Sequence, residues 1–308
     1  QDGHAIISYQ PIGVILGIQP WNFPLYQVIR YACANVMAGN TTVLKHAGNV
    51  FGMAEKIEQL FKLAGFDDYC FKNLLIDGKT ASELIDHSAI RGLTFTGSDG
   101  TGKKVAERAA KQVKKTVLEL GSNDAYIVLD DADLNTAITA CTQGRLINNG
   151  QTCVAAKRFI VVDALYDDFK ALIKEQFEQV VLGDPNDEKT TLGPMARKDL
   201  RDQLHQQVTD SVNAGATIIT GGKVAEHTGF YYTPTLLENI KPGMPAYDDE
   251  LFGPVASLIR AKDNAEAMQI ANDSRYGLGG GIFSKDEQAA IELAKLHFDT
   301  GMVNINGY

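Results

Sequence analysis

Residues 11–30 read PIGVILGIQPWNFPLYQVIR. VILGIQ (14–19) is a short apolar run between turn residues and reads as a buried strand. Pro20 and Pro24 bracket Trp21, Asn22 and Phe23 and keep that stretch out of a helix. From 25 to 38 the apolar spacing changes to the helical period. One strand, one rigid turn and one helix make the first step of a βα alternation.

The same switch recurs outward along the chain. TTVLKH (41–46) reads as a strand and 51–64 as an amphipathic helix stopped at Gly65. Strand 71–76 (FKNLLI), helix 80–87, strand 92–96 (GLTFT) and helix 100–112 follow. Alternation at this spacing predicts a parallel sheet covered by helices, an α/β, Rossmann-like nucleotide-binding domain. Beyond residue 120 the rhythm changes. Strands are expected at 125–129, 158–163, 216–220, 255–260, 279–283 and 301–305, with a hairpin near 230–237. Helices are expected at 133–147, 164–180, 196–213, 263–272 and 286–297, and GDPNDEKTTLGPM (183–195) as a polar connection. The boundary falls near Gly121, giving domains at 11–121 and 122–308, with no internal repeat or low-complexity stretch.

At 308 residues the chain is long enough for two domains, each with its own core. With 29 basic and 38 acidic residues the net charge is −9, and no basic run exceeds a pair, which speaks against nucleic acid as a partner. No stretch reaches the ~18 apolar residues of a membrane span, and the start QDGHAIISYQ lacks a signal peptide's basic flank and apolar core. The first residue is Gln, so a processed product or a fragment is expected. The four cysteines form no C-x-x-C pair, and with the six scattered histidines no metal site is expected. The composition points to a reducing, cytoplasmic setting, with Cys33, Cys70 and Cys141 as buried packing thiols.

Four segments carry chemistry. FTGSDGTGKK (95–104) contains G-x-x-x-x-G-K at 97–103, the core of a phosphate loop, but Lys104 stands where a magnesium-binding Ser or Thr is needed. Its backbone amides at a helix N-terminus still suit a phosphate, and the alternative is a capping turn with Ser98 or Asp99 as N-cap. NNGQTCVAAKR (148–158) places Cys153 between a polar turn and small residues, where a nucleophilic thiol can be reached. VLELGS (117–122) ends an apolar strand on Glu119, whose burial would push it toward the neutral form and the range of a general base. Its alternative is a strand-end carboxylate facing solvent. The Pro-bracketed turn fixes the Asn22 amide as an oxyanion donor would be fixed, or as an ordinary turn residue.

Together and in this order, PWNFP (20–24), VLKHA (43–47), FTGS (95–98), ELGS (119–122), GQTC (150–153), ELFGPV (250–255) and GMVNING (301–307) resemble the aldehyde dehydrogenase superfamily. KHAGN (45–49) and AAKRF after Cys153 resemble its succinate-semialdehyde branch. The resemblance implies a cofactor domain and a second α/β catalytic domain carrying the nucleophile. It implies Cys153 as nucleophile, Asn22 with the Cys153 N–H as oxyanion donors, and Glu119 as the base that activates water. For NAD or NADP it implies Lys45 at the ribose, Gly97 and Ser98 at the pyrophosphate, Glu250 and Phe252 at the nicotinamide ribose, and backbone groups of Ile18 and Trp21. Arg30 matches an arginine that holds a substrate carboxylate, and a second such position is Ile147 here, with Arg145 on a different helix face.

Two departures bear on the cofactor site. Gly48 replaces a carboxylate that grips the adenosine 2′-hydroxyl, which removes repulsion against a 2′-phosphate that Lys45 and His46 would attract. Ser122 replaces the second glycine after Glu119. The resemblance also implies a longer N-terminal region, a C-terminal tail and a homo-oligomer, dimer or tetramer, with residues 1–10, through HAIISYQ (4–10), as the remnant of an oligomerisation strand. The expected partner is a small aldehyde. Competing readings are a P-loop phosphotransferase, an inactive homologue, and a relative that passes its thioester to coenzyme A, against which the presence of Glu119 argues.

Overall fold

The computed structural model describes residues 3–308. Contacts divide the chain into two compact units, one ending at Leu120 and one beginning at Gly121.

The first unit alternates strand and helix as β1 (Val14–Gln19), α1 (Tyr26–Met37), β2 (Thr41–His46), α2 (Phe51–Leu63), β3 (Phe71–Asn73), α3 (Gly78–Leu84), β4 (Ile90–Thr96), α4 (Asp99–Lys111) and β5 (Lys115–Glu119). Its sheet runs β3-β2-β1-β4-β5, every neighbouring pair parallel. The order reverses at β1, and in such sheets the crevice at the carboxyl ends of the central strands is where ligands bind. Both faces are covered, because successive strand side chains point to opposite sides. Leu44 packs with Val28, Ala54, Ile57 and Phe61 of α1 and α2, and Phe61 stacks on Phe71 at 4.5 Å. Leu16, Leu93 and Phe95 pack with Ile85, Val105 and Ala109 on the side of α3 and α4. Gly17 has to lack a side chain, since a Cβ there would sit 2.2 Å from the Tyr31 ring of α1.

The second unit contains β6 (Ala125–Val128), α5 (Leu134–Leu146), β7 (Arg158–Val162), α6 (Asp163–Glu178), α7 (Lys198–Asn213), β8 (Thr217–Thr220), β9 (Thr235–Glu238), α8 (Pro245–Asp248), β10 (Val255–Ala261), α9 (Asn264–Asn272), β11 (Gly279–Phe283), α10 (Glu287–Leu296) and β12 (Met302–Ile305). Its sheet runs β12-β11-β6-β7-β10-β9-β8 and is parallel apart from the β8–β9 pair. β6 and β7 are buried at every position, as strands covered on both faces must be. Phe159 and Val161 face Ile138, Phe169 and Ile173 of α5 and α6, whereas Ile160 and Val162 face the layer of Leu204, Val208 and Ala267. Asp77, Asp133, Asp263 and Asp286 each accept a backbone N–H as side-chain N-caps of α3, α5, α9 and α10, each worth about 1 kcal/mol.

Several expectations need correction. The strand expected over 71–76 stops at Asn73. The hairpin expected near 230–237 is built instead from β8 and β9, with only an isolated bridge between Val224 and Tyr232 inside it. The apolar strand expected to end on Glu119 is β5, which α4 reaches through a short turn with Val113 at φ 53°, a conformation that β-branched residues rarely supply. Within this single chain residues 4–10 pair with no strand, and Ile6, Ile7 and Tyr9 are 88%, 87% and 95% exposed. Gln1 and Asp2, the start of the segment expected to be an oligomerisation remnant, lie outside the described residues. No helix among the described residues is long and apolar enough to cross a membrane.

Candidate active site

In the first unit, the residues expected at the cofactor gather at the carboxyl edge of the parallel sheet. Ile18 lies level with Lys45 on β2 and Phe95 on β4, and Trp21 and Asn22 follow β1 in the Pro-bracketed turn. His46, fully buried, fixes that turn. Its Nε2–H donates to the Pro24 carbonyl at 2.9 Å, while its Nδ1 accepts the Ala47 N–H at 3.0 Å. Those partners set the tautomer. Burial, with the nearby Lys45 charge, holds the ring's pKa below the usual histidine value despite its backbone hydrogen bonds. The expectation that His46 attracts a phosphate is therefore corrected, because a buried neutral ring spanning two backbone groups has nothing left to offer an anion.

Lys45 itself is half-buried, and burial draws its pKa down while the charge of Asp77 opposes the shift. Three residues on, Gly48 opens an exposed 3-10 turn (Gly48–Val50), and a Cβ there would meet nothing closer than the Phe51 ring at 4.0 Å. The space that a carboxylate would fill is open.

β4 leads through Gly97 and Ser98 into α4. The Gly97 N–H donates to the Glu119 carbonyl at 3.0 Å, and a Cβ on Gly97 would collide with Phe95 at 2.7 Å. Ser98 occupies the N-cap, yet its hydroxyl donates to Thr101 Oγ1 at 3.0 Å instead of capping a backbone N–H. The helix N-terminus thus keeps its positive end for an anion. The phosphate-loop reading fails here for a structural reason. Gly100, Thr101, Gly102 and Lys103 are already helical, so no loop wraps a phosphate, and Lys103 turns along the helix to Asp99 at 2.8 Å.

Glu119 closes β5 opposite Thr96. Its side chain is 28% exposed and its Oε1 accepts from Arg30 Nη2 of α1 at 2.8 Å. The expected burial among apolar neighbours is corrected, since the carboxylate sits at an edge strand with a cationic partner. The structure therefore brings together the expected base and the expected carboxylate-binding arginine, a contact that no spacing in the sequence signalled.

In the second unit, Cys153 lies half-buried on the connection from α5 to β7. A 3-10 turn, Ile147–Gly150, precedes it, with Asn148, Asn149 and Gly150 all in the left-handed region. Only glycine fits at 150, where a Cβ would stand 2.2 Å from the Gly253 carbonyl. Arg145, fully buried, braces this turn by donating from Nη2 to the Gly150 carbonyl at 2.6 Å. Burial raises the Cys153 thiol above its ordinary pKa, Lys157 pulls it back, and Glu250 and Asp124 push it up. Of the other thiols, Cys141 is buried, Cys70 is half-buried and Cys33 is exposed, so the expectation of three buried packing thiols holds for Cys141 alone.

Around Cys153 the structure assembles an ion cluster that sequence reasoning missed. Lys157, 1% exposed, donates to the Cys153 carbonyl at 2.5 Å and lies 3.1 Å from Glu250 Oε1 and 3.4 Å from Ser122 Oγ. The Ser122 N–H donates to Glu250 Oε1 at 3.2 Å, and the Ser122 hydroxyl donates to Asp124. Asp124 also accepts the Gly279 N–H at 3.1 Å, and burial raises its pKa against the pull of Lys157. Gly121 leaves room for that carboxylate, since a Cβ there would stand 2.3 Å from Glu250 Oε2. Arg158, next in sequence and also buried, donates from Nε to the Asn123 carbonyl at 3.0 Å and caps the carboxyl end of α9 through the Ile270 and Ala271 carbonyls. Phe252 is half-buried two residues past Glu250.

A nucleophile candidate after a left-handed turn, a parallel sheet with a switch point and a helix N-terminus behind Gly97 form one recognisable set. The aldehyde dehydrogenase family description matches residues 1–308. The chain belongs to the aldehyde dehydrogenase family. A succinate-semialdehyde dehydrogenase (NADP(+)) of Deinococcus radiodurans is 46% identical over 99% of this chain and 64% of its own length. A succinate semialdehyde dehydrogenase (NAD(P)+) of Escherichia coli is 45% identical over 100% of this chain and 66% of its own. The crystal structure of a succinic semialdehyde dehydrogenase from Streptococcus pyogenes in complex with NADP+ superposes with a TM-score of 0.94 at 40% identity, over 97% of this chain and 65% of that one. The chain thus spans about two thirds of these family members' lengths. Among the described residues no group of three or more His, Cys, Asp or Glu side chains is placed to hold a metal ion.

Proposed function

We propose that this protein oxidises an aldehyde to a carboxylic acid with NAD or NADP, and that its aldehyde carries a distal carboxylate, as succinic semialdehyde does. The carrying observation is the likeness over nearly the whole chain to enzymes named for that reaction, in a sequence that holds Cys153, Glu119 and Asn22 in the motifs GQTC, ELGS and PWNFP. In this reading Cys153 Sγ, as thiolate, adds to the aldehyde carbon to give a thiohemiacetal. The Asn22 amide and the Cys153 N–H hold its oxygen, a contribution of ~3–4 kcal/mol per donor in comparable sites. A bound nicotinamide would supply the hydride acceptor that turns the thiohemiacetal into a thioester on Cys153 Sγ. Glu119 removes a proton from water, the hydroxide adds to the acyl carbon, and the Cys153 thiolate departs. The balance is aldehyde, water and oxidised cofactor in, and acid, reduced cofactor and a proton out.

The residues fit such a dinucleotide. Ile18, Trp21 and Lys45 line the switch-point edge, Gly97 and Ser98 present the start of α4, and Glu250 and Phe252 are assigned the nicotinamide ribose. Open space at Gly48 beside a half-buried lysine favours NADP. Arg30 is 50% exposed, and an exposed ion pair is weak enough to exchange. A substrate carboxylate that takes the guanidinium would free Glu119 for water. A reducing, cytoplasmic setting suits a reaction that needs Cys153 as a free thiol. The exposed Ile6, Ile7 and Tyr9 suit pairing with a second copy in a dimer or tetramer.

Reduced-cofactor formation tests this in the full-length protein, with succinic semialdehyde against butanal and NADP against NAD. Wild type is expected to prefer the acid aldehyde. Arg30→Ala is expected to raise KM for succinic semialdehyde by about 10-fold or more, the scale of one charge-assisted contact, and to leave butanal nearly unchanged. An equal effect on both aldehydes overturns the carboxylate reading.

A further inference from the structure

The buried lysine four residues after the nucleophile has no part in the reaction as written. Its side chain is 1% exposed, and a lysine is almost never buried to that extent without a paired charge. Its nitrogen meets three groups at once: the Cys153 carbonyl, Glu250 Oε1 and Ser122 Oγ. Lys157 and Cys153 lie on the same short segment, Glu250 comes from the stretch before β10, and Ser122 and Asp124 come from the stretch entering β6. Arg145 of α5 reaches the same turn through the Gly150 carbonyl. Arg158, next to Lys157, reaches the Asn123 carbonyl between Ser122 and Asp124 at 3.0 Å.

We propose that Lys157 is a positioning residue for the nucleophile: it ties the Cys153 backbone to Glu250 and keeps a fixed positive charge beside the thiol. Three links carry it. Geometrically, one ammonium bonds the carbonyl of Cys153 itself, so the orientation of that residue depends on where the ammonium is anchored. Glu250 and Ser122 supply the anchor from two other segments. Electrostatically, the thiol is partly desolvated and two carboxylates disfavour its ionised form. Lys157 is the cation that opposes them, and a nearby cation favours thiolate. Ser122 is consistent with this arrangement, because its hydroxyl links Lys157 to Asp124 where a glycine would leave both without it.

The proposal rests on reading Cys153 as the nucleophile, and the test reads the thiol without requiring turnover. Full-length wild type, Lys157→Met and Glu250→Gln are alkylated with iodoacetamide across a pH series, with folding checked by thermal unfolding. The Cys153 peptide is followed by mass; it is LINNGQTCVAAK (146–157) after tryptic cleavage and extends to Arg158 in Lys157→Met. Lys157→Met is expected to move the alkylation midpoint up by about one pH unit, which slows the reaction ~10-fold below both midpoints. Glu250→Gln leaves the lysine charge less compensated and is expected to move the midpoint down. Lys157→Arg, which keeps the charge, is expected to stay nearer wild type than Lys157→Met. A folded Lys157→Met with an unmoved midpoint overturns the proposal. Should that variant fail to fold, an unmoved midpoint in Glu250→Gln overturns it instead. Wild type that alkylates at Cys153 yet oxidises no aldehyde would count against the catalytic reading and leave the lysine's influence on the thiol standing.

Discussion

Two glutamates show how differently the two units treat a carboxylate. Glu119 ends an edge strand, is 28% exposed, and has Arg30 as its charged partner, itself 50% exposed. Glu250 is 17% exposed and accepts from a fully buried lysine and a backbone N–H, with a glycine kept bare beside it. The first arrangement can exchange partners at little cost. The second cannot lose a member without stranding a charge away from water. The first unit therefore holds its glutamate in an exchangeable pair, and the second locks its own into a buried cluster.

The largest effect should come from the thiol itself. Cys153→Ala is expected to lower kcat for aldehyde oxidation by ~10³-fold or more, as removal of a covalent nucleophile does. Residual turnover near wild type, measured by reduced-cofactor absorbance, would remove Cys153 from the reaction. Next, Lys157→Met should cost about 3–5 kcal/mol of stability, the range for breaking a buried ion pair from one side. Urea unfolding reads this, and a loss below about 1 kcal/mol would erase the contrast between the units. Gly48→Glu should then shift the kcat/KM ratio from NADP toward NAD by about 10-fold or more, because a like charge opposes the 2′-phosphate. An unchanged ratio would show that Gly48 is not beside that group. The smallest effect is on folding: Arg30→Ala should change stability by less than about 1 kcal/mol, as half-exposed pairs do. A larger loss in the same urea experiment would mean that the Glu119 pair is structural.

The site was legible in the sequence only where chemistry resides in local motifs. Pro20 and Pro24 around Asn22, the glycine-rich step at 97–102 and the polar turn before Cys153 all act through backbone within a few residues, and local residue types specify such backbone. The end of β5 at Glu119 is legible in VLELGS, whereas the turn that starts it is not, because Val113 there takes a positive φ against that residue's preference. His46 was misread as a phosphate contact because charge type was visible and burial was not. Lys157 carries no signal of its role within AAKRF, since a lysine near a cysteine in sequence says nothing about a glutamate 93 positions further on.

What the sequence determined alone is the order of strands and helices, the two-unit division near residue 120 and the identity of the candidate nucleophile, base and oxyanion donor. Apolar period and turn chemistry are local, and they act before any distant contact forms. Only the tertiary structure decided which charges meet: Arg30 with Glu119 across 89 residues, and Lys157 with Glu250 and Ser122 around the Cys153 backbone. Such pairings depend on which strands lie side by side and which side chains lose their water. Burial and low dielectric are properties of the packed chain, and they convert residue types into a buried cluster or an exchangeable pair.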